Sequence, residues 1–308
     1  MLQTILTEHD AGRRVALCVV VATRGSTPQP AGALVCVDDA ANVIGTLGGG
    51  CVEADVRRHA YERLSAASGQ LLTFKLDADF GYDDGMICGG EMDVAICPLH
   101  LEDDLAPYRT AATALKTGAA IVPVRIERDQ QQWEYRVRIE AAPRLLIAGA
   151  GHISRVLADV TRRIGFEVNV FDDRSDYANE RRFPRPVIVH VGDIGENLKE
   201  QVGSGVTYVV IVTRGHKNDE AALAAVLGSQ AAYIGMIGSR RKINVIFDDL
   251  RPEGFGEAEV AAVHAPIGLS IGAVTTDEIA ISIAAELISV HRANRLPSIE
   301  GPFPVETP

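Results

Sequence analysis

Residues 144–160 read RLLIAGAGHISRVLADV, an apolar run that stops at Gly149, turns through Gly151 and continues with helical spacing. Strand, glycine turn and helix in that order are the opening of a nucleotide-binding α/β fold, and they constrain everything downstream. Four more apolar runs follow: FEVNVFD, PVIVHVG, TYVVIVTRG and AAYIGMIG, with helical stretches among them. That alternation predicts a doubly wound, mainly parallel, Rossmann-like sheet with helices on both faces.

The first part of the chain has a different pattern. RVALCVVVATR, GALVCVDDAANVIGTLG, LLTFKLD and EMDVAICPL are strand-like runs separated by turn residues. One clear helix interrupts them, with Val52, Val56, Ala60 and Leu64 recurring every four residues along one apolar stripe. This predicts an α+β domain. DLAPYRTAATALKTG is a further helix candidate, and the polar stretch ERDQQQWEYRVRIEAAP ends at Pro143. The expected division is residues 1–140, an accessory α+β domain; 141–292, the Rossmann-like domain; and 293–308, a Pro-rich tail that is expected to be loosely ordered. A chain of 308 residues is long enough for two cores.

The formal net charge of -11 repels polyanions, which argues against nucleic acid as a partner. The N-terminal stretch lacks a basic-then-apolar signal pattern, and runs such as Val15 to Ala22 are too short to span a bilayer, so the expected location is the cytoplasm. Five cysteines without paired spacing fit reduced thiols better than a disulfide framework.

The dinucleotide fingerprint G-x-G-x-x-G lets backbone approach a pyrophosphate at the positive end of a helix. Here Gly149 and Gly151 are followed by Ser154 at the third position, while Asp172 lies twenty-one residues beyond Gly151, where a ribose-binding acid usually sits. Arg174 leaves the choice between NAD and NADP open, and the alternative is a loop that merely makes a tight turn. Ligands of open α/β sheets bind beyond the carboxyl ends of the strands. The segments there are Gly149 to His152, Thr213-Arg214-Gly215-His216, and Gly235 to Lys242. Ser239 can cap the next helix while Arg240 and Lys242 supply positive charge, which suits an anion. His152 and His216 could handle protons, but no spacing makes a dyad evident, and both read as orienting hydrogen bonders. HExxH, a nucleophile elbow and a Walker loop are all missing from the sequence.

Cys18, Cys36 and Cys97 lie in strand-like runs and are expected to be small core residues. Cys51, after three glycines at a helix start, and Cys88, before two glycines, sit on open backbone that could admit a ligand. Soft thiolates suit metals, yet two cysteines thirty-seven residues apart make no zinc motif, so only a transient contact to a metal or its sulfur is expected.

RGSTPQPAGALVCV, GTLGGGCVEADV, LLIAGAGHISR, VTRGHKNDEAAL, YIGMIGSRRK and HAPIGLSIGAVTTDEIAISIAAEL, in that order, resemble the xanthine dehydrogenase accessory factor family, often called XdhC/CoxI. The match is carried by Gly25 to Pro28, Gly48 to Glu53, Cys88 with Gly89 and Gly90, and Gly235 to Lys242; it departs at Ser154, where the family more often has glycine. The resemblance implies a factor that receives molybdenum cofactor (molybdopterin), shields it while its terminal sulfur is installed and delivers it to a molybdenum hydroxylase such as xanthine dehydrogenase. It implies a cofactor chaperone rather than a turnover enzyme. The implied partners are the apoenzyme and a cysteine desulfurase, with a homodimer as the commonest symmetric assembly. On this reading Gly149, Gly151, His152, Asp172, Arg214, His216, Ser239 and Arg240 line the cofactor site, and Cys51 or Cys88 approaches molybdenum or its sulfur. The competing readings are an NAD(P)-dependent oxidoreductase, with Asp172 on the ribose, and a thiol-based sulfur carrier. Thr275 and Glu278 have the spacing of a capping box, and Ile279, Ile283 and Leu287 form the stripe of a structural helix.

Overall fold

The computed structural model describes residues 1–76, 89–100, 105–115, 118–203, 206–293 and 296–305. The chain splits into two compact units, Met1–Glu140 with Leu296–Pro308, and Ala141–Arg295. In the first unit the elements are α1 (Leu2–Asp10), β1 (Val15–Arg24), β2 (Leu34–Asp38), β3 (Val43–Gly45), α2 (Gly50–Arg63), β4 (Gln70–Lys75), β5 (Glu91–Leu99), α3 (Ala106–Ala114), β6 (Ala119–Arg128) and β7 (Gln131–Glu140). One antiparallel sheet has the order β3-β2-β1-β5-β4.

Alternation along β1 explains how this sheet is covered on both sides. Ala16, Cys18 and Val20 face one core with Val52, Val56, Ala60 and Leu64 of α2. Val15, Leu17, Val19 and Val21 face the other, with α1, α3 and the β6–β7 hairpin. A strand buried on both faces reads as an unbroken apolar run, as VALCVVV does. Cys18, Cys36 and Cys97 are all buried core residues. Burial raises the Cys36 thiol to about 12 and pushes Cys18 further up, so neither is a thiolate at neutral pH.

The tail differs from the loose segment expected. A strand, here β13 (Ile299–Pro304), pairs antiparallel with β7 to complete a three-stranded sheet of order β13-β7-β6. Its physical reason is an open strand edge: β7 has β6 on one side only, and its remaining backbone groups accept the tail.

The second unit contains β8 (Arg144–Ala148), α4 (His152–Arg163), β9 (Glu167–Asp172), β10 (Ile188–Val191), α5 (Ile194–Gln201), β11 (Thr207–Ile211), α6 (His216–Val226), β12 (Tyr233–Met236), α7 (Arg240–Leu250), α8 (Glu257–Ala261) and α9 (Thr276–Ala293). Its sheet is parallel throughout, in the order β10-β9-β8-β11-β12. Leu145 and Ile147 of β8 face α4 and α9, whereas Leu146 and Ala148 face α5, α6 and α7. The strand order reverses between β8 and β11, so the crevice of an open α/β sheet lies beyond their carboxyl ends. The Thr275 capping box forms as its spacing predicts: Glu278 Oε2 accepts from the Val274 and Thr275 amides at 2.7 and 2.9 Å. None of the described helices is long and apolar enough to cross a membrane.

Candidate functional site

The crevice is built by three turns. Gly149 follows β8 with φ +101°, and a Cβ there would lie 2.6 Å from the Val212 carbonyl oxygen, so this glycine lets the β8 and β11 turns close on each other. Gly151, the N-cap of α4, faces open space, as does Gly215, the N-cap of α6. Ser239 caps α7 as its position suggested, with its hydroxyl accepting from the Lys242 amide at 3.3 Å. The three helices α4, α6 and α7 thus begin at the carboxyl ends of the neighbouring strands β8, β11 and β12, each presenting unpaired N–H groups and a positive dipole end. Arg214, before Gly215, and Arg240, the first residue of α7, are exposed and make no ion pair among the described residues. His152 is exposed at the first position of α4.

Asp172 takes a role that the sequence did not disclose. It is 2% exposed, and its Oδ2 accepts from the Ala150 amide at 2.7 Å inside the glycine turn. Arg174 supplies the rest: its amide (3.0 Å) and Nε (2.8 Å) reach Oδ1, and its Nη2 reaches Oδ2 at 2.8 Å. Burial alone would raise this carboxyl, but Arg174 and the Ala150 amide outweigh it and hold Asp172 at about 2. A ribose placed here would have to displace Arg174, so Asp172 is a brace for the turn before it is anything else.

His216 also has partners. Its Nε2 lies 3.3 Å from both Glu220 Oε2 and Asp249 Oδ2, and the three ligand-type atoms fall within 4.8 Å of one another. Glu220 stands four residues on along α6, a spacing readable in the sequence; Asp249 comes from α7 and is not. Behind the β11 turn, buried Asp219 accepts from the Thr213 amide at 3.2 Å and pairs with Lys242, joining the first turns of α6 and α7. Lys242 is therefore committed to a structural pair. Glu286 is a second, partly buried hub, accepting from the Tyr233 hydroxyl (2.7 Å) and the Gly268 amide (2.7 Å), with His264 Nδ1 at 3.0 Å. Burial raises the Tyr233 hydroxyl, which stays protonated to donate that bond.

In the first unit, glycine loops converge. Gly48, Gly49 and Gly50 all have positive φ, and Cys51 follows them in the first turn of α2. Glu53 gathers this loop: its Oε2 accepts from the Leu47 amide at 3.0 Å, the Thr46 hydroxyl at 2.9 Å and the Gly49 amide at 3.2 Å, bonds that hold its carboxyl below the usual range. A Cβ on Gly48 would lie 2.4 Å from Pro28, and one on Gly90 would lie 2.1 Å from the Ser26 carbonyl oxygen. Ser26 and Gly89 form a parallel bridge. The Ser26 to Pro28 segment therefore sits against both the loop that precedes Cys51 and the Gly89–Gly90 pair that follows Cys88. Cys88 itself lies outside the described residues.

With this geometry in view, the comparisons with known proteins bear on both units. The XdhC Rossmann domain matches residues 145–287, and the XdhC and CoxI family matches residues 9–75. An Escherichia coli relative, the uncharacterized protein YqeB, is 28% identical over 89% of this chain, and the chain spans 43% of that relative's length. A Bacillus subtilis relative, described as a probable subunit of xanthine dehydrogenase, is 26% identical, with 95% of this chain and 97% of the relative covered. The molybdenum cofactor insertion chaperone PaoD of Escherichia coli is 22% identical over 91% of this chain and 85% of its own. A Bacillus halodurans crystal structure described as a xanthine dehydrogenase superposes with a TM-score of 0.76 at 21% identity, covering 96% of each chain, which supports the fold. Matched in both of its units, the chain belongs to the XdhC and CoxI family.

Proposed function

We propose that this protein is a maturation factor for a molybdenum hydroxylase: it receives molybdenum cofactor, protects it during sulfuration and hands it to the apoenzyme. The observation that carries the reading is the meeting of three helix N-termini at the carboxyl ends of β8, β11 and β12, with Arg214 and Arg240 free of internal ion pairs among the described residues. Such a site takes a phosphate: amides at the start of α4, from Gly151 onward, donate to its oxygens, and guanidinium groups add charge-assisted bonds. The pterin phosphate is that group in molybdenum cofactor. The relative named as a molybdenum cofactor insertion chaperone supports the same cargo.

Cys51 and Cys88 are the thiols we assign to transient contact with molybdenum or its sulfur, because the glycine backbones beside them pack on one loop, Ser26 to Pro28. A cysteine desulfurase as sulfur donor and a homodimeric state complete the proposal. Anaerobic calorimetric titration with molybdenum cofactor tests it. Binding by the wild type should weaken about tenfold or more in Arg214→Gln/Arg240→Gln and fall in Cys51→Ala or Cys88→Ala. Binding of NAD or NADP alone, indifferent to both cysteines, would replace this reading with an oxidoreductase.

A further inference from the structure

A cavity of about 390 Å³ lies between α4 and residues 182–187 of the β9 to β10 connection. Arg155, Arg162, Arg182 and Arg185 line it, and Asp159 is the one carboxylate among its lining residues. We propose that this cavity binds a small oxyanion carrying at least two negative charges, of the phosphate class, as a site separate from the strand-end crevice.

Charge balance on the cavity wall favours an anion. Asp159 already accepts from Arg162 at 2.7 Å and from Arg163 at 3.2 Å, so it is shared between two cations. Among the described residues Arg185 pairs only with Glu180, and both side chains are mostly in water, where such a pair is worth little. Arg155 has no ion pair among the described residues. The wall therefore carries more guanidinium groups than Asp159 and Glu180 together balance, a local excess of positive charge in a chain whose net charge is -11.

An unsatisfied donor points the same way. Arg182 Nε is buried and has no hydrogen-bond partner, although the same side chain is fixed by Nη2 donating to the Ala150 carbonyl at 3.3 Å and by its place 5.0 Å from the Tyr177 ring centroid. A buried guanidinium donor without an acceptor costs free energy, and a turn of the Arg182 side chain onto an oxyanion would remove that cost. Arginine presents paired N–H groups that match phosphate geometry. Phe183 and Val187 supply buried apolar wall, and the volume lies within the range of small-molecule sites.

Inorganic pyrophosphate is the probe, titrated into the full chain by calorimetry at low and high salt. Arg155→Gln/Arg185→Gln, two exposed substitutions, should weaken this binding at least about tenfold with an unchanged melting curve, while Arg214→Gln/Arg240→Gln should retain it. The single reversal Arg155→Glu should give the same loss. Wild-type protein that takes up no pyrophosphate at millimolar concentration, or a pocket variant that binds it as well as wild type, would overturn the proposal. Loss in the Arg214/Arg240 variant alone would also overturn it, placing the anion at the strand ends. The cofactor titration turns on Arg214 and Arg240 and this one on Arg155 and Arg185, so the two readings fail separately.

Discussion

Replacing Asp172 with Asn removes the charge that joins Arg174 to the Ala150 amide. The folded carboxyl sits at about 2 against an ordinary 3.8, so the folded state holds fewer protons there and gains stability above the ordinary value. The difference is about 2 kcal/mol at neutral pH, fully present above about pH 4 and lost as pH falls through about 2. Urea unfolding of Asp172→Asn and wild type across that range should show the gap closing in acid; a constant gap would deny the ion pair its role. Ser154 makes the opposite case, since its hydroxyl is buried with no partner among the described residues, in the place where the fingerprint has glycine. Ser154→Ala should raise stability by about 1 kcal/mol, read as a higher urea midpoint with an unchanged slope. The positions of Gly149, Gly151, Asp172 and Ser239 around the turns were legible from spacing. The partners were not: that Asp172 faces Arg174 and Ala150, or that His216 faces Asp249, depends on how turns and helices cross, which no local pattern encodes.

Among the elements, β8, β9, β11 and β12 were readable as apolar runs because each contributes to both cores, while the edge strand β10 read as apolar although it leaves Ile188 and Val191 exposed. The helix of Val52, Val56, Ala60 and Leu64 was readable because all four residues point into one core. The β6–β7 hairpin escaped notice for a physical reason: β7 alternates Trp133, Tyr135, Val137 and Ile139 with charged residues, so its average composition is polar while its period is that of a half-buried strand. Its turn at Asp129 and Gln130 takes positive φ without glycine, removing the usual hairpin signal. The strand β13 depends on this hairpin. Deleting residues 296–308 should lower the melting temperature of the first unit by several degrees and leave the unfolding of the second unchanged, followed by calorimetry. A single transition that shifts as a whole would show that the two units unfold together.

Across the whole molecule, the two halves differ because their sheets solve different problems. The parallel sheet needs helices on both faces and collects helix N-termini at one edge, a place for an anion. The antiparallel part builds its glycine loops around Glu53 and Ser26, with Gly48, Gly49 and Gly50 leading into α2. The first unit is also discontinuous, since its sheet is completed by residues 299–304 after the chain has passed through all of the second. Because synthesis runs from the N-terminus, β7 waits with an open edge until the whole second unit has been translated. A ribosome that stalls anywhere in the second unit releases an amino-terminal half with that edge still bare. Passage through the second unit is thus written into the fold of the first, and products interrupted within it are the ones exposed to chaperones and proteases.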